Sequence, residues 1–248
     1  MTDELFARRT VTLNADLGES FGLHSFGNDL KLMDYVDVAN VACGFHSGDP
    51  DTMAATVEAA AGRGLKVGAH PGLPDLIGFG RREMKLTPTE IENLILYQVG
   101  ALTASLRRFG LELNHLKPHG SLYGMLSRDA ALMDAAANVA LLYGVPFYGL
   151  AGTQHEIVCR ERGVPFVSEL YVDLNYGPAG ELLIQRRPER TDPAAAAARV
   201  RLVLADGVLA AVDGTLLNVQ CDSICVHSDA PNSVDVAAAV RGALTPVS

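Results

Sequence analysis

The chain has 248 residues, of which 48% are hydrophobic and 20% charged, ample apolar content for a sizeable core and unlike the composition of a disordered segment. Its net charge of −9 excludes a general binder of nucleic acid or acidic membrane. Cys43, Cys159, Cys221 and Cys225 form no C-x-x-C pair, which argues against a zinc knuckle or a disulfide scaffold. The opening MTDELFARRT has no apolar signal core and no run of about 18 apolar residues occurs, so a cytoplasmic protein without a membrane span is expected.

In chain order, short apolar runs predict strands at 11–15, 36–41, 65–69, 113–117, 145–150, 164–168 and 223–227. Helical patterns fill the gaps. The first major one starts with Asp49 as cap and Pro50 as first helical residue, repeats Met53, Val57 and Ala61, and stops by Gly64. The next opens on a capping box, Thr87 with Glu90, and closes at Gly110. Thr153 with Glu156 predicts a second box for a helix ending at Gly163. Asp192, Pro193 and Gly207 bound another helix, and a last one follows Asn232. Asp213-Gly214 predicts the turn of a β-hairpin inserted at 208–220.

This alternation predicts an α/β fold, a TIM-like (β/α) barrel of seven strands forming one domain over 1–248. An open doubly wound sheet would more often carry a glycine-rich nucleotide loop after its first strand, and NADLGESFG is not one. In such barrels the loops at the carboxyl ends of the strands build the active site. Those ends supply Asn14, Asp16 and Glu19; Asn40, Cys43, His46 and Asp49; His70, Asp75, Arg81 and Arg82; Lys117 and His119; Glu169 and Asp173; and His227 and Asp229.

The candidate catalytic residues are Asp16, Glu19, His46, His70, Lys117 and His119; Asn14, Asn40, Asp49, Asp75, Arg81, Arg82, Asp173, His227 and Asp229 are candidates for holding substrate or phosphate. Plainer roles compete. Asp16 and Glu19 also suit capping of a turn, His46 and His70 also suit core histidines, and Asp49 reads first as a helix cap. Arg81 and Arg82 fit a solvated charge pair as well as an anion clamp. Lys117 could neutralise developing oxyanion charge or, with a lowered pKa, act as a base, and His119 could move a proton. Cys43 reads as an apolar filler, His115 as structural, and His24 and His155 as exposed loop residues.

The motifs LNADLGESFG, ANVACGFHSGDP, GAHPGLPDLIGFGRR, LKPHGSLYG and ICVHSD resemble, in order and spacing, those of the family of 5-oxoprolinase A subunits, also called LamB/YcsF. The resemblance implies a barrel related to glycoside hydrolases and sugar deacetylases, working with partner subunits B and C. It also implies opening of the 5-oxo-L-proline lactam to L-glutamate as ATP becomes ADP and phosphate. On it, Asp16, Glu19, His46, His70, Lys117, His119 and His227 match recurrent polar positions, and Arg81 and Arg82 match the GFGRR segment. Two positions depart: Leu174 stands where the family usually has arginine after Asp173, and Ser228 where it usually has glycine.

Two other readings remain. One is a metal-dependent hydrolase or deacetylase without ATP, with Asp16, His46 and His70 as ligands; the other is a non-catalytic substrate-binding subunit. ATP with Mg, or a site-bound divalent metal, are the expected cofactors, and a homo-oligomer is left open.

Overall fold

The computed structural model describes residues 11–185 and 187–245. The elements run β1 (Thr12–Leu17), α1 (Asp29–Leu32), β2 (Val38–Ala42), α2 (Pro50–Ala61), β3 (Lys66–His70) and α3 (Pro88–Arg108). There follow α4 (Gly120–Arg128), α5 (Ala130–Tyr143), β4 (Phe147–Gly149), α6 (Gln154–Arg162) and β5 (Phe166–Tyr171). The chain ends with β6 (Asn175–Tyr176), β7 (Leu182–Leu183), α7 (Pro193–Asp206), β8 (Val208–Ala210), β9 (Leu216–Asn218), β10 (Ser223–His227) and α8 (Ser233–Leu244).

Six strands form one parallel sheet in the order β3-β2-β1-β10-β5-β4. The sheet curls, because both of its edges bridge to the same residue: Leu116 pairs in parallel with Ala69 of β3 and with Phe147 of β4. Segment 113–117, expected as a full strand, therefore contributes only isolated bridges, and Pro118 has no N–H to extend a ladder. The strand expected at 145–150 shrinks to Phe147–Gly149, with Pro146 accepting from the Leu116 amide.

Strand alternation sorts the side chains. Leu13, Ala15 and Leu17 of β1 join the apolar cluster with Val41, Val67 and the α3 residues Ile91, Ile95 and Leu102. Each large aliphatic side chain removed from water there contributes about 1.5–3 kcal/mol. Asn14 and Asp16 take the other face of β1 and are also buried, so the inside of the curl is polar.

The helix signals act largely as expected. Asp49 accepts from Asp51 N and Thr52 N at the start of α2, and Thr87 with Glu90 forms the complete capping box of α3. At α6, Thr153 caps the helix by accepting from His155 N, but Glu156 turns to Gly152 N, so the expected reciprocal box does not form. The hairpin β8-β9 turns at Asp213-Gly214, with Gly214 at φ 88°. Four features lie outside the sequence reading: the short α1, α4, α5 and the small hairpin β6-β7. No described helix is long and apolar enough to cross a membrane.

Candidate active site

The buried inward face of the curl carries a continuous polar network. Asn40 Nδ2 donates to Asn14 Oδ1 and to Asp16 Oδ1, both at 2.8 Å, and Asn14 Nδ2 donates to Ser223 Oγ at 2.7 Å. Lys117 is 1% exposed. Its Nζ lies 2.8 Å from Asp16 Oδ1, 2.9 Å from Cys225 Sγ, and 3.3 Å from both Asn14 Oδ1 and Glu169 Oε1. An ammonium has three protons, and these neighbours use them all. Burial alone would push Lys117 down, but Asp16, Cys225 and Glu169 outweigh it and hold its pKa well above the usual lysine range. Burial likewise works against an ionised Asp16, yet His70 and Lys117 overcome that and hold it well below the carboxylate range. The lysine that ends this apolar segment thus has a structural role: it fixes Asp16.

A second cluster adjoins the first. Glu19, His46, His70 and His119 are all at most 2% exposed, and each places one ligand-type atom within 4.8 Å of the others. Glu19 Oε1 lies 3.2 Å from His46 Nε2 and 3.3 Å from His119 Nδ1. His70 Nε2 and His119 Nδ1 face each other at 2.9 Å. The His46 and His119 rings stack, with centroids 3.7 Å apart. Burial pushes His46 down to about 4 and also lowers His119; burial also opposes charge on Glu19, but the adjoining His119 and His46 rings outweigh it and hold Glu19 below its usual range. Asp16 is not in this four-residue group; it falls with Cys225 and His227 in a separate one, against which Lys117 Nζ sits.

A pocket opens over both clusters, walled by Asp16, His70, Arg81, His119, Tyr171 and His227, with Leu174, Leu182 and Ile184 as an apolar side. His227 Nδ1 donates to Asp173 Oδ1 at 3.0 Å, and the His227 amide donates to Asp173 Oδ2 at 2.7 Å. Burial opposes charge on this ring, but Asp173 and Asp16 outweigh it and raise His227 to about 9, so it is a cation at neutral pH. Its Nε2 lies 3.6 Å from Asp16 Oδ2.

The two arginines part company. Arg81 faces the pocket, pairs with Asp229 Oδ2 at 2.8 Å and lies over the Phe79 ring. Arg82 is half exposed and is held by the buried Asp75, which also accepts from Gly78 N. Asp75, Arg82 and the helix cap Asp49 are not among the pocket's walls. Leu174, in place of arginine, gives the pocket an apolar wall, and Ser228 is buried with no hydrogen-bond partner for its hydroxyl.

His115 is buried, bonded through Nε2 to Asn40 Oδ1 at 2.7 Å, and packs on Gly68, where an added Cβ would lie 2.1 Å from the ring. His24 is exposed as expected, but His155 is fully buried: its Nε2–H donates to Tyr123 O and its Nδ1 accepts from Leu150 N. Polarity misplaced it, since a core histidine is stable indoors once both ring nitrogens are satisfied.

Other contributors are not among the sequence candidates. Tyr123 and Tyr171 line the pocket, Phe79 offers its carbonyl to His119 Nε2–H at 2.8 Å, and the buried Gln98 holds both backbone groups of Gly72. Tyr171 lies within reach of the strand pattern, two residues after Glu169. Gln98 is an amide in a helix interior, and nothing local to it indicates a loop partner.

The chain is similar along its length to several named proteins. It is 43% identical over 233 residues to the lactam utilization protein lamB of Emericella nidulans, covering 92% of each chain. It is also 43% identical to the 5-oxoprolinase A subunit of Thermococcus onnurineus, covering 94% of this chain and 93% of that one. The crystal structure of the lactam utilization protein from Thermus thermophilus superimposes with a TM-score of 0.87 at 42% identity, covering 95% of this chain and 96% of that one. The LamB/YcsF family model matches residues 11–247. With that span and those identities, the chain belongs to the LamB/YcsF family.

Proposed function

We propose that this chain is one subunit of a 5-oxoprolinase, a hydrolase that opens the lactam of 5-oxo-L-proline to L-glutamate with conversion of ATP to ADP and phosphate. The observation that carries the reading is full-length similarity to chains named as 5-oxoprolinase A subunits, joined to a buried acid–base pocket. That those relatives are named as one subunit among others supports work in a complex, and subunits B and C are the partners in this reading. The chain has no G-x-x-x-x-G-K-[ST] loop, so the nucleotide step is assigned to the partners. The fold is read as one domain, a barrel of seven staves in which 113–117 is the shortest, supported by the double bridge of Leu116.

An amide carbon is a poor electrophile, and phosphorylating the lactam oxygen makes it a better one. Water then adds to that carbon and the ring C–N bond breaks with its electron pair going to nitrogen, leaving an acyl phosphate; a second water displaces phosphate from it, so two waters and one ATP are consumed per turnover. Arg81 suits an anionic group of the substrate, because its guanidinium faces the pocket and shares its charge only with Asp229 among the described carboxylates. Asp16, held by Lys117 and Asn40 through Oδ1, directs Oδ2 to the pocket and positions the water. His227, cationic at neutral pH, delivers a proton to the departing nitrogen. The test is release of glutamate and phosphate from 5-oxoproline by this chain with subunits B and C and ATP. Asp16→Asn is expected to abolish release; full activity in that variant would overturn the assignment.

A further inference from the structure

The ring nitrogens in the second cluster are oriented by the backbone. Lys117 O, 2.8 Å from His70 Nδ1, can only accept, so the proton of His70 sits on Nδ1. Phe79 O, 2.8 Å from His119 Nε2, places the proton of His119 on Nε2 in the same way. Phe79 is the one described non-glycine residue with positive φ, at 54°, a conformation that costs about 1–3 kcal/mol and here aims that carbonyl. The consequence is that His70 Nε2 and His119 Nδ1 meet at 2.9 Å and, in the neutral rings, turn two lone pairs toward each other, with Asp16 Oδ2 3.3 Å from the first and Glu19 Oε1 3.3 Å from the second and 3.9 Å from the first. His46 Nε2 faces Glu19 Oε1 at 3.2 Å while its Nδ1 has no partner, so a shift of the ring proton to the vacant Nδ1 lets Nε2 present another lone pair to an ion.

Lone pairs turned toward one another repel unless a cation lies among them. Ligand atoms about 2.1 Å from a shared ion stand about 3.0 Å apart at right angles and about 3.4 Å apart at tetrahedral angles. The separations of 2.9, 3.2 and 3.3 Å in this cluster are the edges of such a polyhedron.

We propose that His70 Nε2, His119 Nδ1, His46 Nε2 and Glu19 Oε1 bind one divalent transition-metal ion, with the Lys117 and Phe79 carbonyls as the outer groups that present the two imidazoles. Three imidazoles with one carboxylate select a borderline ion such as Zn2+, Co2+ or Ni2+ over Mg2+, which takes oxygen ligands and keeps its waters. His70 and His119 both line the pocket, so a remaining coordination position faces the space where substrate enters and could hold a water or a carbonyl oxygen. The neighbouring group of Asp16, Cys225 and His227 does not compete, because the ammonium of Lys117 already sits against it.

This inference stands apart from the reaction proposed above, and the test keeps the two separate. The chelator-stripped chain, without substrate or partners, is titrated with Co2+, Zn2+ and Mg2+ by calorimetry, with visible absorption recorded for Co2+. One equivalent of Co2+ and of Zn2+ is expected to bind, with Co2+ ligand-field bands, and Mg2+ is expected not to compete. Affinity should fall at least about tenfold in Glu19→Gln and in His119→Ala, and stay unchanged in His24→Ala. Circular dichroism confirms that each variant is folded, and the isosteric Glu19→Gln carries the test if His119→Ala is not. Absence of stoichiometric binding by the folded chain, or undiminished binding in Glu19→Gln, overturns the proposal. A chain that binds the ion but releases no glutamate with its partners refutes the reaction and leaves the metal site standing.

Discussion

Replacing Lys117 by Met keeps the length of the side chain and removes its charge from the centre of the curl. Two carboxylates lose their cation, Asp16 at 2.8 Å and Glu169 at 3.3 Å. At an effective dielectric of about 20, unit charges at those separations attract by about 5–6 kcal/mol each. Desolvating three ions offsets most of that gain, but the variant has no such offset, since the carboxylates stay buried without a partner. Truncating one member of a buried pair costs about 3–5 kcal/mol, a large part of the stability of an ordinary domain. Urea denaturation followed by circular dichroism at pH 7 should show that loss. Asp16→Asn in the Lys117→Met background should return part of it, with a coupling energy of about 0.5–3 kcal/mol.

The pH dependence changes sign as well. In the wild type Asp16 titrates well below its ordinary value, so its contribution is present above about pH 4 and is lost on acidification through the folded value. In Lys117→Met the stranded carboxylates favour their protonated forms, so stability should rise as pH falls from 7 toward 5. A destabilisation below about 1 kcal/mol, or additive single and double variants, would refute the view that Lys117 holds the network together.

Three further outcomes can be checked. Arg81→Ala should raise the KM for 5-oxoproline about tenfold or more in the reconstituted enzyme, as expected for loss of a charge-assisted contact, whereas Arg82→Ala should lower the melting temperature slightly and leave KM alone. Gly72→Ala places a Cβ 2.3 Å from His46 Nδ1; this overpacking should cost about 1–3 kcal/mol and depress kcat more than KM, as steady-state kinetics would show. Burial raises Asp29 to about 6, so the folded state favours its protonated form: that stabilisation is full below about pH 4 and lost as pH rises through 6. Asp29→Asn keeps an acceptor for Gly18 N and removes this slope, so the variant's melting temperature relative to wild type should climb between pH 4.5 and 7.5.

The residues of the pocket were legible because sheet geometry gathers strand ends: Asp16, His70, Lys117 and His227 lie far apart in sequence and touch one pocket. Their division of labour was not legible. Lys117 and Arg81 are both cations near a strand end, and only packing shows that Lys117 is saturated by Asp16, Asn14 and Cys225 while Arg81 faces the opening. Helix α5 carried readable signals, Asp129 as cap and Gly144 in the left-handed conformation at its end, but its run of alanine and leucine has no clear polar face because α5 packs on α3, α4 and α6. His155 was misplaced because a histidine's polarity says nothing about whether both ring nitrogens will find partners indoors. The register of 113–117 was unreadable for a different reason: the residues favour extended backbone, and the number of ladder bonds they make depends on neighbours that arrive from elsewhere in the chain.

Where segment 113–117 bridges β3 and β4, the two edges of the curl are fastened by very few amides. Asn114, Ala69 and Lys117 provide them on one side, and Leu116 and Tyr148 on the other. This clasp lies directly beneath the cluster of histidines, since His70 ends β3 and Lys117 O is its hydrogen-bond acceptor. Thermal loosening at that seam would let the His70 imidazole turn, so deuterium uptake at Lys117 and Tyr148 should report, residue by residue, how firmly the reactive centre is held shut.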